Sequence, residues 1–292
     1  MTVRRLEQRP TLGRLYAKAA ITARGRHAES LPDTSYELPD LSIDRQNLAS
    51  YADVCGFRQS DVLPPTYPHI LGFPAAVTLM VDATFPFPLP GLVHVNNRIV
   101  QQRPLNAEER LTVCVHAADF RDHPRGRQFD MITEVTIAGE AVWSEVSTYL
   151  HREKSARKIP SSAAAPSPAP GEGRGGGHQT PSALWRVPGN IGRRYAAASG
   201  DVNPIHMNPL VARLFGFPRA IAHGMWLKAR CLAALEGRLL DQLTAEVQFK
   251  SPLLLPSTVA FNATPQNGNW RLEVGQARTG RPHLTGLVTP SN

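Results

Sequence analysis

At 292 residues, 42% hydrophobic and 19% charged, the chain has the composition of one large or two medium globular domains, which excludes the disordered and fibrous classes. Its three cysteines, Cys55, Cys114 and Cys231, are scattered without paired or Cys/His spacing, which speaks against a disulfide framework and a zinc site and for a reducing, cytoplasmic compartment. The net charge of +8 would fit a nucleic-acid binder only if it were spread over a folded face, and it is not.

Seven basic residues (Arg4, Arg5, Arg9, Arg14, Lys18, Arg24, Arg26) stand against Glu7 and Glu29 in residues 1–30. This stretch reads as a basic, poorly ordered tail. A second basic segment (Arg152, Lys154, Arg157, Lys158, Arg174 against Glu153 and Glu172) carries the rest of the excess. No nucleic-acid partner is therefore expected. Such segments are ordinarily solvated, or attract an acidic partner such as a carrier protein or a phosphate-bearing thiol ester. The longest apolar stretch, Pro68 to Val81, is too short to span a bilayer and holds two prolines.

Residues 31–154 form the first domain. The apolar run from Pro68 predicts a buried helix. Alternating segments at Leu92–Val100, Leu111–Ala117, Phe129–Ile137 and Ala141–Leu150 predict strands. Residues 155–182 are Pro, Ala, Gly and Ser with almost nothing to bury, and read as a flexible linker.

Residues 183–292 repeat the first domain. YAAASGD around Tyr195 stands 144 positions after YADVCGF around Tyr51. AIAHGMWLKARC and AEVQFKSP stand 152 positions after PHILGFPAAVTL and VHVNNRIV, so Gly224 answers Gly72. Three weak matches in one order at near-constant offset indicate two copies of one domain. Within the second copy, Asn208-Pro209 begins a short helix that Gly216 stops. A buried helix follows from Met225 to about Glu236, then strands at Ala245–Leu255, Thr258–Thr264, Trp270–Ala277 and His283–Val288. One buried helix followed by antiparallel strands implies a sheet curled around a helix.

The chemistry-bearing segment is YAAASGDVNPIHMNPLVARLFGFPRAIAHGM, from Tyr195 to Met225. Asp201 and His206 are separated by Asn203-Pro204, which forces a turn that can aim both side chains at one water, an arrangement for general acid–base work. A carboxylate capping a helix and a histidine satisfied in the core would fit the same spacing. Gly224 at the start of the buried helix offers unpaired N–H groups to developing negative charge. His223 reads as a packed residue at the helix entry.

The string SGDVNPIH followed by AHGM closely resembles the MaoC-like family of (R)-specific enoyl-CoA hydratases and (3R)-hydroxyacyl-thioester dehydratases. The first copy is similar to the N-terminal half of two-repeat actinobacterial members. The resemblance implies an α+β double hot-dog fold, each repeat a curled antiparallel sheet wrapped around a central helix. It implies that Asp201 and His206 activate a catalytic water and that Gly224 N–H holds the thioester carbonyl. Asn203, Ser199 and Gly200 would support the site, and Met225 would lie with Gly224 beside the substrate. The implied reaction is reversible hydration of trans-2-enoyl thioesters of coenzyme A or acyl carrier protein in fatty-acid metabolism, with no metal or cofactor. The alternatives are a hot-dog thioesterase, against which the Asp-x-Asn-Pro-x-His pattern counts, and a non-catalytic acyl-thioester-binding subunit. A monomer with an internal pseudo-dimer and a homodimer both fit. One departure from the family is Leu232, where some members carry a serine. In the first copy Phe57 and Val62 occupy the places of Asp201 and His206, and eight residues are missing nearby. That copy is expected to be silent and to open an apolar space, lined by Phe57 and Val62, that favours longer acyl chains.

Overall fold

The computed structural model describes residues 1–21, 26, 28–153 and 180–291. Two short elements lead the chain, β1 (Thr2–Arg5) and α1 (Leu12–Ile21). Then come β2 (Thr34–Leu41), α2 (Arg45–Cys55), α3 (Tyr67–Met80) and four strands, β3 (Leu92–Gln101), β4 (Leu111–His123), β5 (Gly126–Ile137) and β6 (Glu140–Arg152). The second set is β7 (Ala183–Val187), α4 (Ile191–Ser199), α5 (Pro204–Met207), α6 (Pro209–Leu214), α7 (Gly224–Ala233), β8 (Leu243–Phe249), β9 (Ser257–Gln266), β10 (Asn269–Gln276) and β11 (Pro282–Pro290). Apart from its last three residues, the expected linker lies outside the described residues.

One sheet runs β1-β2-β4-β5-β6-β3-β8-β11-β10-β9-β7. Beyond β1 the order is the same read from either side of the β3–β8 seam. At that antiparallel seam Asn96 faces Gln248, its own counterpart 152 positions on, so the two halves meet about a pseudo-twofold axis. Each half wraps its sheet around one apolar helix. All of α3 but Thr78 is buried, as a helix without a polar face must be. It lies so close to the sheet that a Cβ on Gly72 would stand 2.7 Å from Thr133 Cγ2. In the second half α7 takes this place. This is a double hot-dog fold, with α2 and α4 packed on each other through the Tyr51 and Tyr195 rings, 6.0 Å apart. Both helices end at a left-handed glycine, Gly56 (φ +83°) and Gly200 (φ +76°), which are 144 positions apart.

Two expectations need correction. Within the expected tail, residues 1–21 are not a loose segment. β1 pairs in parallel with β2, and α1 buries Leu12 and Ala19 while Leu15 and Tyr16 pack on the core. These four residues fall at i, i+3, i+4 and i+7, a helical stripe that the count of charges hides. Two of the arginines are ties: Arg9 donates to Ile70 O (2.9 Å), and Arg26 donates to the carbonyls of Met80 and Phe87 (3.0 Å each). The strand expected at Ala245–Leu255 stops at Phe249. Its remainder turns back to pair with the approach to α7, Ala222 N–H donating to Leu253 O and Leu255 N–H to Ala220 O.

Candidate active site

The site is built where α4 ends. Gly200 reverses the chain, and its N–H is spent on Ala196 O (2.8 Å), so it cannot serve an oxyanion. Ser199 Oγ donates to Tyr195 O (2.8 Å) and accepts the Asp201 N–H (3.2 Å). Asn203, held extended by the following proline (φ −57°, ψ 120°), caps the one-turn helix α5 through Ile205 N–H. The Asn203 N–H reaches back to Asp201 Oδ1 (3.3 Å). His206 therefore sits on a helical turn, one step beyond the bend expected to carry both groups. Asn208 then caps α6 with its side chain.

His206 Nδ1 lies 2.9 Å from Ile221 O. A carbonyl only accepts, so Nδ1 carries the hydrogen and Nε2 keeps its lone pair. By the same argument His223 donates its Nε2–H to Asp201 O at 3.0 Å. The His223 ring stacks on His206, centroids 3.7 Å apart and planes 27° apart. It is thus the wedge that fixes both groups and not merely a packed residue. Asp201, His206 and His223 each present a ligand-type atom within 4.8 Å of the others.

Asp201 has one further partner, which sequence reading missed. Tyr16 on α1 donates its hydroxyl to Asp201 Oδ1 at 2.6 Å, across 185 positions of chain.

The charge states follow from these contacts. Burial pushes the Asp201 carboxyl up, but His223, His206, the Tyr16 hydroxyl and the Asn203 N–H hold it below the ordinary carboxylate range. Burial lowers His206 against the pull of Asp201 and the Ile221 carbonyl. Burial and the neighbouring His206 hold His223 at about 3. At neutral pH the site is one carboxylate beside two uncharged imidazoles, which is a base ready to take a proton.

Gly224 opens α7 beside this group. No side chain caps that end, and the first helical bond is Leu227 N–H to His223 O (3.2 Å), which leaves the N–H groups of the first turn for a ligand. A Cβ on Gly224 would stand 2.9 Å from Phe249 Cε1, so the missing side chain makes room for a ring of the protein. Met225 is buried in α7.

The first copy departs from expectation. Val62 is 47% exposed and bridges Asn106, and Phe57 is buried at the end of α2. Neither lines the internal cavity of this half, which holds about 10 Å³ and is walled by His69, Phe73, Ala76, Met131, Glu145 and Tyr149 among others. The eight missing residues send the chain after Gly56 along the β3–β4 loop, where Leu63 N–H donates to Leu105 O. The cavity is also not apolar. Glu145, 2% exposed, accepts from Asn97 Nδ2 (2.5 Å) and faces His69 Nδ1 (2.9 Å). The fully buried Lys228 of α7 donates to Asn97 Oδ1, Asn97 O and Ala245 O.

With this geometry in hand, likeness to known proteins is informative. Residues 190–284 match the model of the MaoC like domain. The chain is 38% identical over 264 residues to 3-hydroxyacyl-thioester dehydratase X of Mycobacterium tuberculosis, covering 89% of this chain and 90% of that one. The chain belongs to the MaoC-like dehydratase family. A crystal structure of the M. tuberculosis protein HtdX superposes with a TM-score of 0.77 at 36% identity, over 88% of this dehydratase and all of that chain. A MaoC-like dehydratase from Phytophthora capsici shares the fold at 19% identity, with a TM-score of 0.66 over 90% of this chain and 96% of that one. No described helix of this MaoC-like protein is long and apolar enough to cross a membrane.

Proposed function

We propose that this MaoC-like dehydratase adds water across the 2,3-double bond of trans-2-enoyl thioesters, and removes it from (3R)-hydroxyacyl thioesters, with Asp201 and His206 as the acid–base pair. The observation that carries the reading is the convergence of Asp201 and His206, with His206 Nδ1 engaged by Ile221 O so that Nε2 is left to accept, next to the uncapped start of α7. In hydration, the pair takes a proton from water as the water oxygen bonds to C3. Negative charge moves to the thioester oxygen, where the Gly224 N–H and the helix dipole oppose it. The proton then passes to C2, so that H and OH have been added and the pair is restored. The substrate's carrier is coenzyme A or acyl carrier protein.

Crotonyl-CoA tests this directly. Hydration removes the enoyl-thioester absorbance without releasing thiol, whereas a thioesterase would release it and a binding subunit would do neither. Asp201→Asn and His206→Ala should each lower turnover about a hundred-fold or more, the scale of a positioned proton-transfer group. Near-full activity in either variant would remove that residue from the mechanism.

A further inference from the structure

We propose that Tyr16 is a positioning residue of this active site: by donating to Oδ1 it fixes the Asp201 carboxylate so that Oδ2 and His206 Nε2 share the catalytic water. This rests on the acid–base reading of Asp201 given above. The N-terminal segment, which the charge count marks as a tail, thereby becomes part of the catalytic machinery.

The geometry is built, not incidental. The O–H···O distance of 2.6 Å is that of a hydrogen bond to an ionised acceptor, roughly twice as strong as a neutral one. Two contacts and one buried side chain bring the hydroxyl there. Leu12, one turn earlier on α1, fits under the bend before Asp201, where a Cβ on Gly200 would stand 2.8 Å from Leu12 Cδ1. Arg9 ties the segment to Ile70 O on α3. Ala19, one turn later, is buried. The helix is thus wedged between the central helix of the first half and the catalytic bend of the second. Burial and the Asp201 charge push the Tyr16 phenol far above its ordinary range, so at neutral pH it is a donor.

Without Tyr16, Oδ1 would keep only the 3.3 Å bond from the Asn203 N–H, and the carboxylate would be free to rotate away from the water. Besides Tyr16 on α1, the titratable groups facing Asp201 are Tyr149 on β6, Tyr195 on α4, His206 on α5 and His223 before α7. Among these, Tyr16 and the two histidines lower the Asp201 carboxyl. Removing the Tyr16 hydroxyl therefore raises it, and the acidic limb of the pH–rate profile reports that change.

The test is Tyr16→Phe in the full-length chain, which keeps the ring and the packing of α1. With crotonyl-CoA, kcat should fall about ten-fold, the worth of one charge-assisted hydrogen bond, with KM changed less than about two-fold. The acidic limb should move to higher pH and the Tm should stay within about 2 °C. In an Asp201→Asn background the same substitution should cost nothing further, since two groups acting as a unit are not additive. An unchanged or increased kcat with an unmoved acidic limb overturns the proposal, as does an additive loss in the double variant. If Asp201→Asn itself stays active, the acid–base assignment has failed instead, and the two failures are distinct.

Discussion

Substituting Gly224 by alanine puts a methyl group where the Phe249 ring already is. The new Cβ would stand 2.9 Å from Cε1 and 3.1 Å from Cδ1 and Cζ, while carbon–carbon contacts settle at roughly 3.5–4.0 Å. Something must move by roughly 0.6–1 Å. Phe249 has little freedom: it ends β8 opposite Leu284, and its ring lies 4.9 Å from His94, which stacks on Tyr149 at 4.7 Å. Overpacking of this kind costs about 1–3 kcal/mol, which in a domain of this size lowers the Tm by several degrees, at roughly 2–4 °C per kcal/mol. If the start of α7 moves instead, the N–H groups proposed to hold the thioester oxygen move with it, and a misplacement near 1 Å costs about a hundred-fold in rate. Phe249→Leu should relieve both effects. The assay is a double-mutant cycle of Gly224→Ala and Phe249→Leu, read by denaturant unfolding and by crotonyl-CoA hydration. We expect the double variant to be more stable and faster than Gly224→Ala alone, with a coupling energy above about 1 kcal/mol. Additivity within about 0.5 kcal/mol would show that Phe249 does not fill the glycine's space.

Ala76 lines the cavity of the first half and Ala75 does not. With about 10 Å³ of space and Glu145 and His69 in its wall, this cavity does not suit an acyl chain, so Ala76→Trp should lower kcat/KM equally for enoyl thioesters of four and eight carbons; a loss confined to the eight-carbon substrate would place the acyl chain there. Lys228, fully buried, is lowered from 10.5 to about 7, by burial first. Its folded value lies below its unfolded value, so between them the unfolded chain binds the extra proton and folding stability rises with pH. From pH 7 to 8.5 this adds at most about 1.4 kcal/mol per pH unit. Lys228→Met should flatten that slope in urea midpoints measured across the window, and a slope equal to wild type would refute the assignment.

The parts of the fold that follow from short-range periodicity were readable from the chain. The Asn208-Pro209 start and the Gly216 stop of α6, the apolar helix after His223, and the alternation in β5 and β6 each depend on neighbours within one turn or one strand. The convergence of Asp201 and His206 was readable because the intervening Asn203-Pro204 constrains the backbone locally. Tyr16 was not, because nothing local distinguishes a phenol that will meet a carboxylate 185 positions away. The Leu12–Leu15–Tyr16–Ala19 stripe did carry a signal for α1, obscured by the surrounding arginines. Phe57 and Val62 were misplaced for a different reason: a constant offset transfers position along a sequence, but a deletion of eight residues redirects the chain in space.

The asymmetry of the halves is itself physical information. Asn97 corresponds to Phe249 at the 152 offset, and the strand partners Ser147 and Leu284 correspond in turn. Where the second half has two apolar residues, Leu284 in the core and Phe249 packed against it, the first has two buried polar ones, joined to Glu145, His69 and Lys228. Unpaired, such groups would cost about 1–3 kcal/mol each and more for the charges. Here Asn97 is the joint that satisfies them, giving its amide to Glu145 and Ser147 and its carbonyl to Lys228. Because Lys228 belongs to α7 and Asn97 to β3, this chain of bonds crosses the seam between the repeats. It locks the helix that begins at Gly224 to the half that has Phe57 and Val62 in place of Asp201 and His206. Tyr16 makes the complementary connection from the first half to Asp201. The proposed site is therefore assembled from both copies, with the proposed acid–base pair in the second and two of its constraints in the first.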